Sequence, residues 1–400
     1  MRTVTPKSME RLDVIVIGAG AAGLFAGVEA ARRGRSVVVI EHNRAPAEKI
    51  RISGGGRCNF TNLDIRPEAY LSENPKFPLS ALKRYTQWDF IARLDQAGIS
   101  WHEKTLGQLF CDGSARQIVA MLVDDLDAAG GVLRLGEKVT SVGHNTAGFE
   151  VRTDAATYHA ASLVVATGGK SIPKMGATGF AYHLADQFGV ARVPTRAGLV
   201  PLTFGPEVLA RTSPLAGLAT KAIVRCGPSS FEEGLLFTHR GLSGPSILQI
   251  SSYWREGADL AVDFLAGQAP EALIDGWRRG QGGQKPVTVL SGLLPRRLAE
   301  MLCADLTADR RIADLTGPEI AAWAQRLSDH RFRPNGSEGY RTAEVTLGGV
   351  STAALDAKTM QVRAVPGLYF IGEAVDVTGW LGGYNFQWAW SSGWAAGQVV

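Results

Sequence analysis

Residues 12–23 have the sequence LDVIVIGAGAAG, in which an apolar run is followed by three closely spaced glycines. The apolar run Leu12–Ile17 predicts a buried strand, and Leu24–Arg33, which follows the glycines, predicts a helix. A strand, a glycine-rich turn and a helix in this order form the phosphate-binding unit of a dinucleotide-binding domain. The chain is therefore predicted to begin with an α/β, Rossmann-like domain.

Each glycine of the turn has its own task. The first permits the tight turn, the second lets the backbone approach a pyrophosphate, and the third lets the helix pack closely on the strand. The N-terminus of the helix then offers free N–H groups to the anion. A turn that serves helix packing alone is the alternative. The residues predicted to line the site are Gly18, Gly20, Ala22 and Gly23.

A second buried strand, Ser36–Ile40, ends at Glu41. In a dinucleotide-binding domain a carboxylate at this point accepts hydrogen bonds from a ribose 2′-hydroxyl and repels a 2′-phosphate. Because a packing turn alone leaves Glu41 unexplained, the strand, the glycines and this acid together predict a dinucleotide site.

Two later strands favour FAD over NAD as the occupant. Leu163–Gly169 and Gly367–Ala374 are apolar runs that end in small residues, as expected where a strand terminus meets a cofactor. They resemble the A-T-G strand and the ribityl-contacting strand of two-dinucleotide-fold flavoproteins, with a glutamate where aspartate is usual in the second. The corresponding predicted FAD contacts are Ala166, Thr167, Gly168, Gly372 and Glu373.

Three further motifs carry a family resemblance: KIRISGGGRCN at 49–59, FTHRGLSGP at 237–245 and GGYNFQWAWSSG at 382–393. Together they resemble the BaiN/RdsA family of NAD(P)/FAD-dependent oxidoreductases, also called the YhiN-like flavoproteins, from about Asp13 to Gln398. The resemblance implies non-covalent FAD and reduction of an activated carbon–carbon double bond, in ribosomal RNA uridine or in a steroid dienone. Amine oxidation is a further activity among relatives.

The physical properties of these motifs agree with that resemblance. Three consecutive glycines exclude a helix interior and favour a loop that presents N–H groups to phosphate or flavin. The glycine pair Gly382 and Gly383 precedes the predicted final helix, Tyr384–Gln398. The N-terminus of this helix would favour the negative charge of a reduced flavin. A T-x-G-G stretch at 346–349 resembles one close to the flavin in related proteins. The predicted contacts are Lys49, Ser53, Gly54, Gly55, Gly56, Arg57, Asn59, Gly348, Gly349, Gly382, Gly383, Tyr384 and Asn385.

Length predicts more than one domain, because 400 residues exceed a usual single core. The predicted parts are an FAD-binding domain from 1–190 and 341–400, an inserted β domain at 191–268 and a helical cap at 269–340. The insertion is expected to carry the substrate-facing surface. Its glycine-rich stretch 280–283 predicts a loop. Arginines cluster in the helical cap and just beyond it, and they either neutralise RNA phosphates or form a solvated face that nearby acids balance. They are Arg296, Arg297, Arg310, Arg311, Arg331, Arg333 and Arg341.

Reduction of a double bond needs hydride at one carbon and a proton, from a general acid, at its neighbour. Cys58 lies in the loop expected beside the flavin, so it is either a proton donor or a buried structural thiol. His239 is the other candidate acid, with Arg240 placed to hold a carbonyl or phosphate. The alternative for His239 is an ordinary loop residue.

Composition narrows the functional classes. A hydrophobic share of 45% and a net charge of +4 indicate a globular protein and argue against a disordered chain or a membrane protein. Four scattered cysteines argue against zinc ribbons and disulfide scaffolds, so we predict no metal site. The absence of a signal-like segment predicts a cytoplasmic protein.

A single nucleotide fingerprint means that NAD(P)H would dock only transiently. A peroxide-forming amine oxidase and a non-catalytic flavin redox sensor remain alternatives.

Overall fold

The computed structural model describes residues 11–306 and 309–400 of the chain. It divides into two units, one containing the residues up to Arg196 together with Val345–Val400, and the other formed by Ala197–Glu344. The first unit therefore combines both ends of the chain. The further division at residue 268 stays a prediction.

Strands supply the sheets of both units. In chain order they are β1 (Arg11–Ile17), β2 (Val37–Glu41), β3 (Asn59–Asn62), β4 (Tyr70–Leu71), β5 (Trp101–Glu103), β6 (Gln108–Cys111), β7 (Val132–Leu135), β8 (Val139–Asn145), β9 (Gly148–Thr153), β10 (Thr157–Val165), β11 (Arg192–Gly198), β12 (Leu202–Thr203), β13 (Ala219–Cys226), β14 (Ser229–Thr238), β15 (Gly241–Ser243), β16 (Leu260–Asp263), β17 (His330–Phe332), β18 (Gly336–Ser337), β19 (Val345–Val350), β20 (Leu368–Phe370) and β21 (Thr378–Gly379).

Helices cover the sheets. They are α1 (Ala21–Arg32), α2 (Glu48–Gly56), α3 (Leu79–Arg84), α4 (Gln87–Gln96), α5 (Arg116–Ala128), α6 (Phe180–Gln187), α7 (Pro206–Thr212), α8 (Pro245–Ser251), α9 (Pro270–Gln281), α10 (Pro286–Leu290), α11 (Arg296–Leu302), α12 (Gly317–Ser328) and α13 (Tyr384–Gly397). The loop predicted at 280–283 is wrong at its start, because α9 continues to Gln281.

The main sheet of the first unit has the strand order β7-β2-β1-β10-β9-β8, and β20 also pairs with β10. Strands β2, β1, β10 and β20 run parallel, as the strand–turn–helix pattern predicts. All of β2 and the last four residues of β1, Val14–Ile17, are buried, which is typical of strands covered by helices on both faces. Helices α1 and α13 pack against each other in this core. This is the predicted Rossmann-like architecture.

The second unit is built on a different sheet, with strand order β17-β16-β13-β14-β15-β12-β18 and antiparallel pairing throughout. Helices α9 to α12 follow its central strands in the sequence. Within residues 11–306 and 309–400, no helix is long and apolar enough to cross a bilayer.

Candidate functional site

The register of the parallel strands places four sequence motifs at one sheet edge. Ile17 of β1 lies opposite both Ile40 and Val165, and Val165 lies opposite Phe370. Each of these residues is at the carboxyl end of its strand or one position before it. The edge where parallel strands end is the usual ligand site of an open α/β sheet. The residues at or shortly after the four ends are Gly18, Gly20, Ala22 and Gly23; Glu41; Ala166, Thr167 and Gly168; and Gly372 and Glu373.

The glycines of the first turn differ in what their missing side chains would meet. A Cβ on Gly18, whose φ is 102°, would lie 2.6 Å from the Ala166 carbonyl oxygen, and one on Gly23 would lie 1.9 Å from the Gly18 carbonyl oxygen. Gly20 has an ordinary extended backbone, and its Cβ would meet no atom of the described residues within 4 Å. Gly18 and Gly23 are thus required by packing, whereas the open side of Gly20 needs another explanation.

Gly20 is also the N-cap of α1, and no side chain caps this helix terminus. The first N–H groups of an uncapped helix are free donors and favour an anion. Open space beside Gly20 together with these donors fits a pyrophosphate.

Glu41, the last residue of β2, lies at the same sheet edge. Only 8% of the residue is exposed. Its carboxylate accepts hydrogen bonds from the backbone N–H groups of Ala19 and Asn43, both at 2.9 Å. Glu41 therefore fixes the glycine turn and remains beside it as an acceptor.

Thr167 supplies the clearest sign of a missing partner. Its Oγ1 atom is buried and has no hydrogen-bond partner among the residues that the structure describes. A buried hydroxyl without a partner costs free energy, so such atoms commonly mark a ligand contact. The position of Thr167, two residues after the end of β10, fits a group of the dinucleotide.

A polar network joins the start of α2 to the end of β20. Lys49 forms an ion pair with Glu373 and donates to Ser171 Oγ at 2.6 Å. Glu373 Oε1 accepts from Ser171 Oγ at 2.9 Å and from the Thr346 N–H at 3.0 Å. Two predicted residues, Lys49 and Glu373, are thus brought together. Ser171 was missing from the predicted set, because no sequence spacing connects it to either of them.

The glycine loop predicted after Ser53 is present in the structure. Gly54 and Gly55 have φ values of 58° and 67°, so the chain leaves helical geometry there, as the three glycines predict. Gly56 and the exposed Arg57 continue this loop, and Ser53 Oγ donates to the Ile50 carbonyl at 2.9 Å.

One side chain lies between the start of β3 and the start of the last helix. The amide of Gln108 approaches the amide of Asn59 to 3.2 Å, and it lies 3.2 Å from where Gly382 would carry a Cβ. Gly383, with φ of 95°, is the N-cap of the 14-residue α13. Gln108 lies on the hairpin β5–β6, which carried no sequence signal.

Other predicted contacts have a packing role in the structure. A Cβ on Gly348 would lie 2.4 Å from the Pro194 carbonyl oxygen, and one on Gly349 would lie 2.6 Å from that of Ala374. Asn385 accepts from the Gly379 N–H at 2.8 Å and donates to the Gly379 carbonyl at 2.9 Å. Close packing accounts for Gly348 and Gly349. The buried Tyr384 accepts a hydrogen bond from Tyr70 through its backbone carbonyl at 3.2 Å.

Cys58 lies in the core of the first unit. Protein atoms alone bury it completely, and this burial raises the pKa of its thiol well above the usual range. A thiol that stays protonated and presents no surface fits the structural alternative better than a proton donor.

His239 and Arg240 belong to the second unit, where they form the two-residue turn between β14 and β15. Both are exposed. Arg240 lies 3.7 Å from Glu338, and its N–H and that of Gly241 donate to Thr238 Oγ1. His239 therefore presents its ring to solvent.

The arginines of the second unit are largely paired. Arg333 makes two contacts with Asp259, at 2.6 and 3.1 Å, and Arg331 pairs with Asp329 at 2.7 Å. Arg296 and Arg310 pair with Glu300 and Glu319. These ion pairs favour the solvated, balanced face over a phosphate-binding one. In the described part of the chain, no group of three His, Cys, Asp or Glu residues is arranged to hold a metal ion.

Comparison with known proteins gives the family. The family model described as the HI0933-like protein Rossmann domain matches residues 12–399. The chain is 51% identical over 98% of both sequences to the "Ribosomal RNA dihydrouridine synthase" of Escherichia coli, and 45% identical to the protein of that name from Haemophilus influenzae, over 95% of this chain and 96% of the relative. It is 28% identical to the "3-dehydro-bile acid delta(4,6)-reductase" of Clostridium scindens, over 96% and 98%.

A solved structure has the same fold. The 3-ketosteroid-delta4-(5alpha)-dehydrogenase of Rhodococcus jostii aligns over 99% of this chain and 98% of its own, with a TM-score of 0.50 and 14% identity. The sheet edge with its glycine turn and the family match over nearly the whole chain lead to one conclusion. The chain belongs to the HI0933-like Rossmann family, the BaiN/RdsA group that its motifs resemble, and is a flavoprotein oxidoreductase.

Proposed function

We propose that this enzyme binds FAD without a covalent link, takes hydride from NADH or NADPH and reduces a carbon–carbon double bond of uridine in ribosomal RNA. The observation that carries the proposal is the 51% identity, over 98% of both chains, to a ribosomal RNA dihydrouridine synthase. The name of the more distant relative is also that of a reductase.

The sheet edge supports FAD as the cofactor. The open side of Gly20 and the uncapped α1 would receive the pyrophosphate, and Glu41 would bind the adenosine ribose. Thr167 Oγ1 would gain the partner that it lacks in the protein. The N-terminus of α13 would stabilise negative charge on the ring edge. Bound FAD would supply hydride transfer, which no amino-acid side chain provides.

The remaining chemical task is a proton donor for the second carbon. His239 is the second candidate that the sequence offers, and the turn between β14 and β15 exposes its ring, whereas Cys58 is buried. Arg240 beside it would hold a carbonyl or phosphate of the acceptor, in competition with the ion pair to Glu338. His239→Gln should keep flavin content and flavin reduction by the donor while slowing reduction of the acceptor.

The nicotinamide donor has no fingerprint of its own in the sequence, since one G-x-G-x-x-G is present and serves FAD. Donor and acceptor would then use the flavin in turn, giving parallel lines when both concentrations are varied. Intersecting lines would contradict this order of events.

The first experiment is anaerobic spectroscopy of the purified protein with each donor. We expect a flavin band near ~450 nm that NADH or NADPH bleaches. The bleached enzyme should then form dihydrouridine in ribosomal RNA from cells that lack this gene. No flavin after reconstitution would overturn the cofactor assignment. Persistence of the band with both donors, and peroxide formation from an amine, would favour an oxidase instead.

A further inference from the structure

The turn between β5 and β6, residues 104–107, packs beside the N-terminus of α13; we call it the hairpin tip. The connection is made by Asn62, whose side chain is almost completely buried. Its Nδ2 donates both to the Leu106 carbonyl at 3.0 Å and to the Gly382 carbonyl at 2.9 Å. One buried amide therefore holds the hairpin tip next to the helix start that the proposed function places at the flavin.

The hairpin tip is held in one conformation by its own hydrogen bonds. The Gly107 N–H donates to Glu103 Oε1 at 3.1 Å, and the Gln108 N–H donates to the Thr105 carbonyl at 3.0 Å. The Gly107 carbonyl accepts from the Leu63 N–H at 2.8 Å, which ties the tip to the chain after β3. The side chains of the tip are thus presented from a fixed backbone.

Leu106 is an unusual residue for this position. Its φ of 52° lies in the left-handed region, where glycine, asparagine and aspartate are common and leucine is rare. Its side chain is 67% exposed, among the most exposed large apolar side chains that the structure describes. Neither backbone geometry nor core packing accounts for a leucine here.

Lys104 adds a positive charge two residues away. Its Nζ lies 5.6 Å from the centre of the Phe110 ring, and no carboxylate of the described residues forms an ion pair with it. Glu103, the adjacent acid, accepts the Gly107 N–H. The tip therefore combines an apolar side chain with an available cation, and a nucleotide combines a flat base, whose ring faces accept apolar contacts, with an anionic phosphate.

We propose that the hairpin tip recognises the RNA nucleotide at which the enzyme acts, with Leu106 against the base and Lys104 near a backbone phosphate. The proposal rests on the proposed function, since it takes the flavin to lie at the start of α13 and the acceptor to be RNA. Leu106 and Lys104 then determine specificity for the acceptor and have no part in holding FAD or oxidising the donor.

The test compares Leu106→Asn with Leu293→Asn, since Leu293 is a second leucine with about half of its surface exposed. Asparagine suits the left-handed backbone, so Leu106→Asn should fold and melt no lower than the wild type. We expect normal flavin content and normal bleaching by NAD(P)H, with kcat/KM for undermodified ribosomal RNA reduced about tenfold. Leu293→Asn should match the wild type in all three measurements.

RNA binding gives a readout that does not depend on turnover. Fluorescence anisotropy with a labelled ribosomal RNA fragment should show weaker binding by Leu106→Asn, and Lys104→Ala should reduce the salt dependence of binding. Equal kcat/KM and equal affinity for wild type and Leu106→Asn would overturn the inference while leaving the proposed function intact. A wild-type enzyme with reducible flavin that neither binds nor modifies ribosomal RNA would instead overturn the RNA acceptor, and the hairpin-tip proposal with it.

Discussion

The sheet edge of the first unit and the turn at His239 in the second unit are two candidate sites that the sequence indicates in different ways. At the sheet edge the candidate contacts come from the backbone, and positions such as Gly18 and Gly23 admit no side chain. At the turn between β14 and β15 the candidate groups are side chains on an exposed hairpin. A backbone requirement restricts the residue to glycine and is visible in one sequence, whereas an exposed side chain acquires a role only through what lies near it.

Substitution of Gly20 should have the largest effect and is the strongest test of the first half of this comparison. A Cβ at Gly20 meets no protein atom within 4 Å, so Gly20→Val should fold normally yet lose FAD because the side chain occupies the pyrophosphate position. The control is Gly276→Val, at a glycine of α9 that also faces open space. Flavin content after purification and the thermal midpoint should separate the two. Normal FAD retention by Gly20→Val would mean that the dinucleotide lies elsewhere.

The neighbouring Gly23 sharpens the same point. Its Cβ would lie 1.9 Å from the Gly18 carbonyl oxygen, so Gly23→Ala should lower the free energy of unfolding by roughly 3 kcal/mol, as overpacking does. Loss of FAD in this variant would follow from damage to the turn. The contrast between a stable, FAD-free Gly20 variant and an unstable Gly23 variant would distinguish the cofactor-facing glycine from the packing glycine.

Substitution of Thr167 should have smaller effects, and the effect on stability should be opposite in sign to the effect on FAD affinity. Thr167→Val keeps the shape of the side chain and removes a buried hydroxyl that has no protein partner. The FAD-free protein should therefore be as stable as the wild type or more stable by up to about 1 kcal/mol, while FAD binds several-fold more weakly. Titration of FAD into both apoproteins measures the affinity. Equal affinity would remove Thr167 from the cofactor site.

The sequence predicted the α/β fold and the four motif positions because each depends on local pattern. Apolar runs of strand length, glycines at fixed spacing and a terminal acid are all properties of short segments. The pairing of Lys49 with Glu373 is different, since more than 300 residues separate them and the parallel pairing of β2, β1, β10 and β20 brings them together. Ser171, Asn62 and Gln108 were missed for the same reason. Cys58 was a candidate from its place in the loop, and its complete burial needed the fold to be seen.

Asp376 provides a pH test within the same edge region. It is buried, and this burial raises the pKa of its carboxyl group to about 6. The negative charge of Glu73 also raises the pKa, whereas the hydrogen bond that the carboxylate accepts from the Glu73 N–H lowers it. Because the folded state binds this proton more tightly than the unfolded state, the contribution of Asp376 to stability falls as pH rises from about 4 to about 6. Asp376→Asn should remove this part of the pH dependence of stability, which is on the order of 1 kcal/mol. Thermal unfolding of the wild type and the variant across this pH range measures the difference. A constant difference between wild type and variant across that pH range would contradict the assignment.

The arginines of the second unit should give the smallest effect, and they test the second half of the comparison. Each RNA phosphate contact contributes about 0.9 to the slope of log affinity against log salt for duplexes and about 0.7 for single strands. Arg333 already makes two contacts with Asp259, so Arg333→Ala should leave the slope for ribosomal RNA unchanged. Lys104→Ala, at a lysine without a carboxylate partner among the described residues, should reduce it by roughly one contact. A reduced slope for Arg333→Ala with no change for Lys104→Ala would reverse the assignment and move RNA contact from the hairpin tip of the first unit to the arginine face of the second. An exposed charge then counts as a binding residue only where the fold leaves it without a partner of its own.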